Sequence, residues 1–163
     1  IYAGSFSKTL SPSLCLGYLV VPERLVEQTV ETKLALTKGE AVLGQRVVAD
    51  FIAEGHFGRH LKRMRGLYAT RREALAIALS DTFGDRLRMT VQPGGMHLLA
   101  RFADGGNDVE LARRAVRHGL MPNALSTQYM ERTRDYGLML GFTNIAEEQA
   151  LTKAKALANA IGF

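Results

Sequence analysis

A sequence of 163 residues, 47% hydrophobic and 23% charged, is long enough to bury roughly 70% of its unfolded surface, and its composition excludes disordered and fibrous chains. One cysteine excludes an internal disulfide, no Cys/His spacing suits zinc, and neither an apolar run of ~18 residues nor a signal-peptide layout is present, so a cytosolic protein that does not enter membranes is expected. The net charge of +5 is spread over helical segments; its one tight cluster, Arg59 to Arg72, shares a helix with Phe57, Leu61, Met64 and Tyr68 and reads as that helix's solvated side.

In chain order, Ile1 to Phe6 reads as the end of a strand, and Cys15 to Val21 as a near-continuous apolar strand covered on both faces. Pro22 opens a helix from Glu23 to Thr37 with Leu25, Val26, Val30 and Leu34 as its stripe, and Gly39 breaks it. A second helix, Ala41 to Glu54, is expected to bury Val42, Leu43, Val47, Val48, Phe51 and Ile52 and to end at Gly55. The third, His56 to about Asp81, carries His56 and His60, read as helix-end or surface residues. Arg86 to Gln92 and Gly95 to Phe102 form a hairpin turned by Pro93-Gly94-Gly95, with Met96, Leu98, Ala100 and Phe102 alternating inward. Asp104 to Asp108 is a loop capping a helix from Val109 to His118. A short extended piece, Leu120 to Pro122, precedes a strand over Gly137 to Phe142, and an amphipathic helix over Ala146 to Ile161 closes the chain. The order is that of an α/β portion followed by an α+β lobe.

Between the first two strands lies Gly4-Ser5-Phe6-Ser7-Lys8-Thr9-Leu10-Ser11-Pro12. A lysine there is either turned to solvent or kept as an uncharged, nucleophilic amine able to condense with a carbonyl. The hydroxyls around it suit a phosphate, to which O–H and loop N–H groups donate. The residues by themselves leave both readings open.

Ser5 to Pro12, followed by Leu16-Gly17-Tyr18-Leu19-Val20, resembles the cofactor-lysine segment of fold-type I, class I/II aminotransferases that use pyridoxal 5'-phosphate. Three more stretches resemble the same family in order and spacing: Phe51 to His56 with His60 to Arg65 and Tyr68 to Arg72, then Pro93 to His97, then Leu138 to Phe142. The branch they fit holds the 2-aminoadipate-type enzymes and the aminotransferase-like domains of MocR (GntR-family) regulators. The resemblance implies that residues 1–54 are the end of a large cofactor-binding domain with a mostly parallel sheet. Residues 55–163 would then be a linking helix and a small α+β domain. It also implies a homodimer, an amino-acid-like substrate or effector, and DNA contact only through an N-terminal winged-helix domain outside this sequence. Ile1 falls in mid-strand with no methionine before it, so the sequence is expected to be the C-terminal part of something longer.

By the same resemblance Lys8 is the catalytic and cofactor-binding lysine, the residue that joins the cofactor aldehyde and then shuttles a proton. Ser5 is the phosphate donor, with Ser7 as a second candidate. Two expected arginines are missing. Cys15 stands where the family has a phosphate-binding arginine, a loss worth about 2 to 5 kcal/mol of cofactor affinity if uncompensated, and is read as a buried, inert strand residue. Met139 stands where an arginine clamps the substrate carboxylate. His97, Asn123, Ser126 and Tyr129 are read as structural or lobe-closing. The resulting expectation is an effector-sensing domain of a MocR-type regulator, catalytically silent as this polypeptide alone. A free-standing aminotransferase and a lobe whose cofactor site has decayed are the alternatives, and unpartnered strands at the start of the chain predict self-association or disorder around Lys8.

Overall fold

The structure, a computed structural model, describes residues 1–37, 42–103, 105–131 and 135–163. The chain divides into two compact units, Ile1–Arg63 and Met64–Phe163. In the first, β1 (Tyr2–Ser5) pairs antiparallel with β2 (Gly17–Val20), from Tyr2 opposite Val20 to Ser5 opposite Gly17. Glycine is required at Gly17, where a Cβ would lie 2.9 Å from the Gly4 carbonyl oxygen, and a Cβ at Gly4 would displace the Tyr18 ring, 2.2 Å away. The two strands therefore close tightly, and Tyr18 lies across β1.

Pro22 and a 3-10 turn over Glu23–Leu25 lead into α1 (Val26–Leu36), and α2 (Val42–Ala53) follows. The helix break expected at Gly39 and the helix start expected at Ala41 lie outside the described residues. Two burial expectations fail in this unit. The second strand is not covered on both faces: Tyr18, Leu19 and Val20 are 44%, 57% and 57% exposed. Of the six α2 side chains expected inside, only Val48 is buried; Phe51 is half-buried and Val42, Leu43, Val47 and Ile52 are exposed. Two short strands and two helices have too few faces to enclose one another. They leave an apolar cavity of about 920 Å³, lined by Phe6, Leu16, Leu19, Val30, Val48 and Ile52 among others.

Gly55, at φ +73°, ends the α2 segment and lets the chain turn directly into α3 (His56–Phe83). This helix runs two residues past its expected end, and the division between the units falls within it.

In the second unit β3 (Leu87–Thr90), β4 (His97–Phe102), α4 (Asp108–Arg117), β5 (Asn123–Ala124), β6 (Leu138–Gly141) and α5 (Ala150–Ile161) follow in the expected sequence. The sheet is antiparallel throughout, in the order β3-β4-β6-β5. Alternation sets its two faces, as expected: Leu98, Ala100 and Phe102 are buried while His97, Leu99 and Arg101 are on the other side. Leu75, Leu79 and Phe83 of α3 and Ala154, Leu157 and Ile161 of α5 complete the core with Leu138, Leu140 and Phe142. Within the loop expected to cap α4, Asn107 does so by accepting the Glu110 N–H at 3.1 Å; Asp104 lies outside the described residues. Among the described residues no helix is long and apolar enough to cross a membrane, and no group of three or more His, Cys, Asp or Glu side chains is placed to hold a metal.

Candidate functional site

The lysine turn grows directly out of β1. Phe6 N–H donates to the Leu16 carbonyl at 3.0 Å, extending the strand ladder by one bond, and Leu10 N–H returns to the Phe6 carbonyl at 2.8 Å. That second bond closes a loop around Ser7, Lys8 and Thr9. Inside it Ser7 N–H donates to Ser5 Oγ at 3.1 Å, and the Thr9 hydroxyl approaches the Phe6 carbonyl at 3.4 Å. Ser11 then caps the 3-10 turn Pro12–Leu14, accepting from Ser13 N–H at 3.3 Å.

Two contacts hold the turn from outside. The Phe6 ring sits between Tyr18, with centroids 5.5 Å apart, and Phe57 of α3, edge-on at 5.9 Å. His60, one turn further along α3, places Nε2 2.9 Å from the Thr9 carbonyl oxygen. Since a carbonyl only accepts, His60 donates from Nε2.

The three residues singled out in the sequence are thus on one turn: Lys8 and Ser5 exposed, Ser7 half-buried. Ser5 Oγ accepts one bond and keeps its own proton to donate. A primary amine and hydroxyl donors carried on one turn are a set that suits an aldehyde carrying a phosphate. Cys15 does not fit the reading given to it. It is exposed, lies before β2 rather than in it, and adopts φ 48° at the end of the 3-10 turn, with its thiol 3.5 Å from the Pro12 carbonyl. The Ser-Pro turn ends there by a left-handed residue, so the strand cannot start until Gly17.

In the second unit, Met139 on β6 lies in register with Leu99 and Asn123 on the sheet face turned from the core, where it offers no charge. His97 is exposed at the start of β4. Ser126 is structural, as expected: its hydroxyl and N–H donate to Asp108 at 2.6 and 2.8 Å. Asp108 itself was not anticipated. It is 2% exposed and also accepts Gly137 N–H at 3.1 Å. Burial pushes its carboxyl up, but the bonds from Ser126, Gly137 and Val109 outweigh burial and hold it below the usual range. Tyr129 donates to Asp135 at 2.7 Å, and Arg101 grips the same carboxylate at 2.5 and 2.9 Å while reaching the Thr90 hydroxyl at 3.0 Å. Neither network had a sequence signal beyond an acid at a helix start and an arginine on a polar strand face. His60 did have one: it stands three residues after Phe57, on the inward side of the same helix.

No family model matches the chain. It is 37% identical over 145 residues, 89% of its length, to a probable rhizopine catabolism regulatory protein MocR of Rhizobium meliloti. It is 30% identical over 91% of its length to the HTH-type transcriptional regulator YhdI of Bacillus subtilis. In sequence the chain matches a portion of the MocR-type regulators. It spans 29% and 32% of those two relatives. Among solved structures, the kynurenine aminotransferase of Pyrococcus horikoshii superposes with a TM-score of 0.85 at 26% identity, over 99% of this chain and 40% of the other. The α-aminoadipate aminotransferase LysN of Thermus thermophilus, solved with N-(5'-phosphopyridoxyl)-L-leucine, gives 0.86 at 25% identity, over 99% and 41%. The chain therefore has the fold of the C-terminal part of the aminotransferases, and its relatives by sequence are regulators.

Proposed function

We propose that this MocR-type chain is the C-terminal portion of an effector-sensing domain that binds pyridoxal 5'-phosphate through Lys8. The observation that carries the proposal is the closed turn on which Lys8, Ser5 and Ser7 lie together, in a chain related to transcriptional regulators. The cofactor, when bound, supplies an aldehyde that amines join and a ring that withdraws electrons. Lys8 provides the amine that holds it and a base that moves a proton when an amino compound takes its place. Ser5 and Ser7 donate to the phosphate. Met139 leaves the carboxylate-clamping position neutral, which favours recognition of an amino compound over ordinary transamination of α-amino acids.

In this reading residues 1–54 complete a cofactor-binding large domain and residues 55–163 form the linking helix and small domain. The intact regulator is a cytoplasmic homodimer that contacts DNA through its HTH portion. Borohydride reduction of the intact parent after incubation with pyridoxal 5'-phosphate, followed by peptide mapping, is expected to leave the pyridoxyl group on Lys8. A label on another lysine, or none at saturating coenzyme, would overturn the assignment. The aminotransferase fold favours a second reading, a PLP-dependent aminotransferase. Amino transfer from a donor to a 2-oxo acid by the intact protein would establish it.

A further inference from the structure

We infer that His60 is a positioning residue for Lys8, holding the lysine turn against α3 through the Thr9 carbonyl. The inference rests on the cofactor-lysine reading above and adds a residue to it.

The turn between β1 and β2 has no helix or strand of its own around Lys8. Its closure depends on one backbone bond, Leu10 N–H to the Phe6 carbonyl, and that bond leaves the Thr9 carbonyl without a backbone partner in the turn. His60 supplies one from 51 residues away, at 2.9 Å and partly shielded from water. The Phe6 carbonyl is tied from within, and the Phe6 ring is wedged by Phe57, three residues before His60 on the same face of α3. The first turns of α3 therefore grip the residue two before Lys8 with an aromatic edge and the residue after Lys8 with a hydrogen bond. Between those grips the Lys8 backbone loses its freedom to rotate, so the direction in which its side chain leaves the turn is set by α3.

Two features separate this role from a chance surface contact. His56, one turn earlier, is also a histidine of α3, but its side chain is 48% exposed and meets residues within five positions of it, stacking on Phe51 at 5.5 Å and reaching Glu54 at 3.1 Å and Arg59 at 2.9 Å. His60 reaches across to another element and meets a main-chain atom adjacent to Lys8. Its ring also fixes which nitrogen carries the proton: Nε2 must donate, so a donor at that reach is the property the site uses, and a glutamine amide can reproduce it.

The test uses the intact parent protein with His60→Ala and His60→Gln. Three readouts are taken: the dissociation constant for pyridoxal 5'-phosphate, the pH at which the absorbance of the bound coenzyme changes form, and the yield of pyridoxyl-Lys8 after borohydride. Losing one hydrogen bond to a partly shielded carbonyl is expected to weaken coenzyme binding by about tenfold in His60→Ala. The absorbance titration is expected to move with it, because an unanchored amine meets the aldehyde in a different geometry. His60→Gln is expected to recover most of both. A His60→Ala protein that matches the parent in affinity and titration overturns the inference, as does a His60→Gln protein no better than His60→Ala. Failure of the parent itself to take up coenzyme at Lys8 would instead remove the reading beneath it, and the labelling yield distinguishes the two failures.

Discussion

Asp135 shows how much one carboxylate is asked to hold. Hydrogen bonds from the Arg101 guanidinium, and then from the Tyr129 hydroxyl, bring its carboxyl down to about 2. Its unfolded counterpart titrates near ~3.9. A folded-state value below the unfolded one means that the unfolded chain takes up the proton first as acid is added. The stabilisation is therefore fully present above ~4 and is lost as the pH falls towards 2. Urea midpoints of the protein and of Asp135→Asn are expected to differ at pH 6 and to converge near pH 2; a gap that persists unchanged at pH 2 would show that the carboxylate charge is not what ties Arg101 to Tyr129. Cys15 is informative at the same scale. Its place in the sequence suggested a buried strand residue, yet a left-handed backbone turns it outward. Dihedrals at a turn depend on how the chain leaves Pro12, and apolar pattern carries no trace of them.

At the scale of elements, the second unit was readable because its periods were clean. Strands alternated and helices had single stripes, so the β-β-α-β-β-α order, the hairpin and the closing helix appear as the pattern placed them, while the short strand expected at Leu120 to Pro122 lies just after it, at Asn123–Ala124. Register was the part left over. Gly137 illustrates why: a Cβ there would lie 2.4 Å from the Ala100 carbonyl oxygen and 3.1 Å from the Arg101 Cα, so the chain entering β6 passes against β4 with no room for a side chain. Both near atoms are backbone and cannot step aside as a side chain would. Gly137→Ala is expected to destabilise the protein by about 2 kcal/mol or more, read as a lower urea midpoint, with the buried Asp108 to Gly137 bond the first to be strained. An unchanged midpoint would mean that β4 and β6 can part without loss. The burial stripes of α1 and α2 failed for a different reason. Periodicity reports which face of a helix is apolar, and only the neighbours decide whether that face is covered.

For the molecule as a whole, the first unit carries the Lys8 turn and also the poorest burial. Tyr2, Leu19, Val20, Leu43 and Val47 are 61%, 57%, 57%, 78% and 55% exposed, and among the described residues β1 and β2 each have only the other as a partner. Unpaired strand edges beside apolar surface seek another chain. This polypeptide by itself is expected to self-associate at micromolar concentration, and a monomer at all concentrations in sedimentation velocity would contradict that. The fold family and the turn on which the three candidate residues lie were legible in the sequence, because motifs of that kind are local: a strand end, a hydroxyl cluster and a lysine are set by adjacent residues. What only the tertiary structure decided is everything joined across distance. The His60 bond to Thr9, the three donors on Asp108, the Arg101 grip on Asp135 and the bareness of α2 each depend on which segments come to lie together, and that proximity is a property of the folded chain that no window of sequence contains.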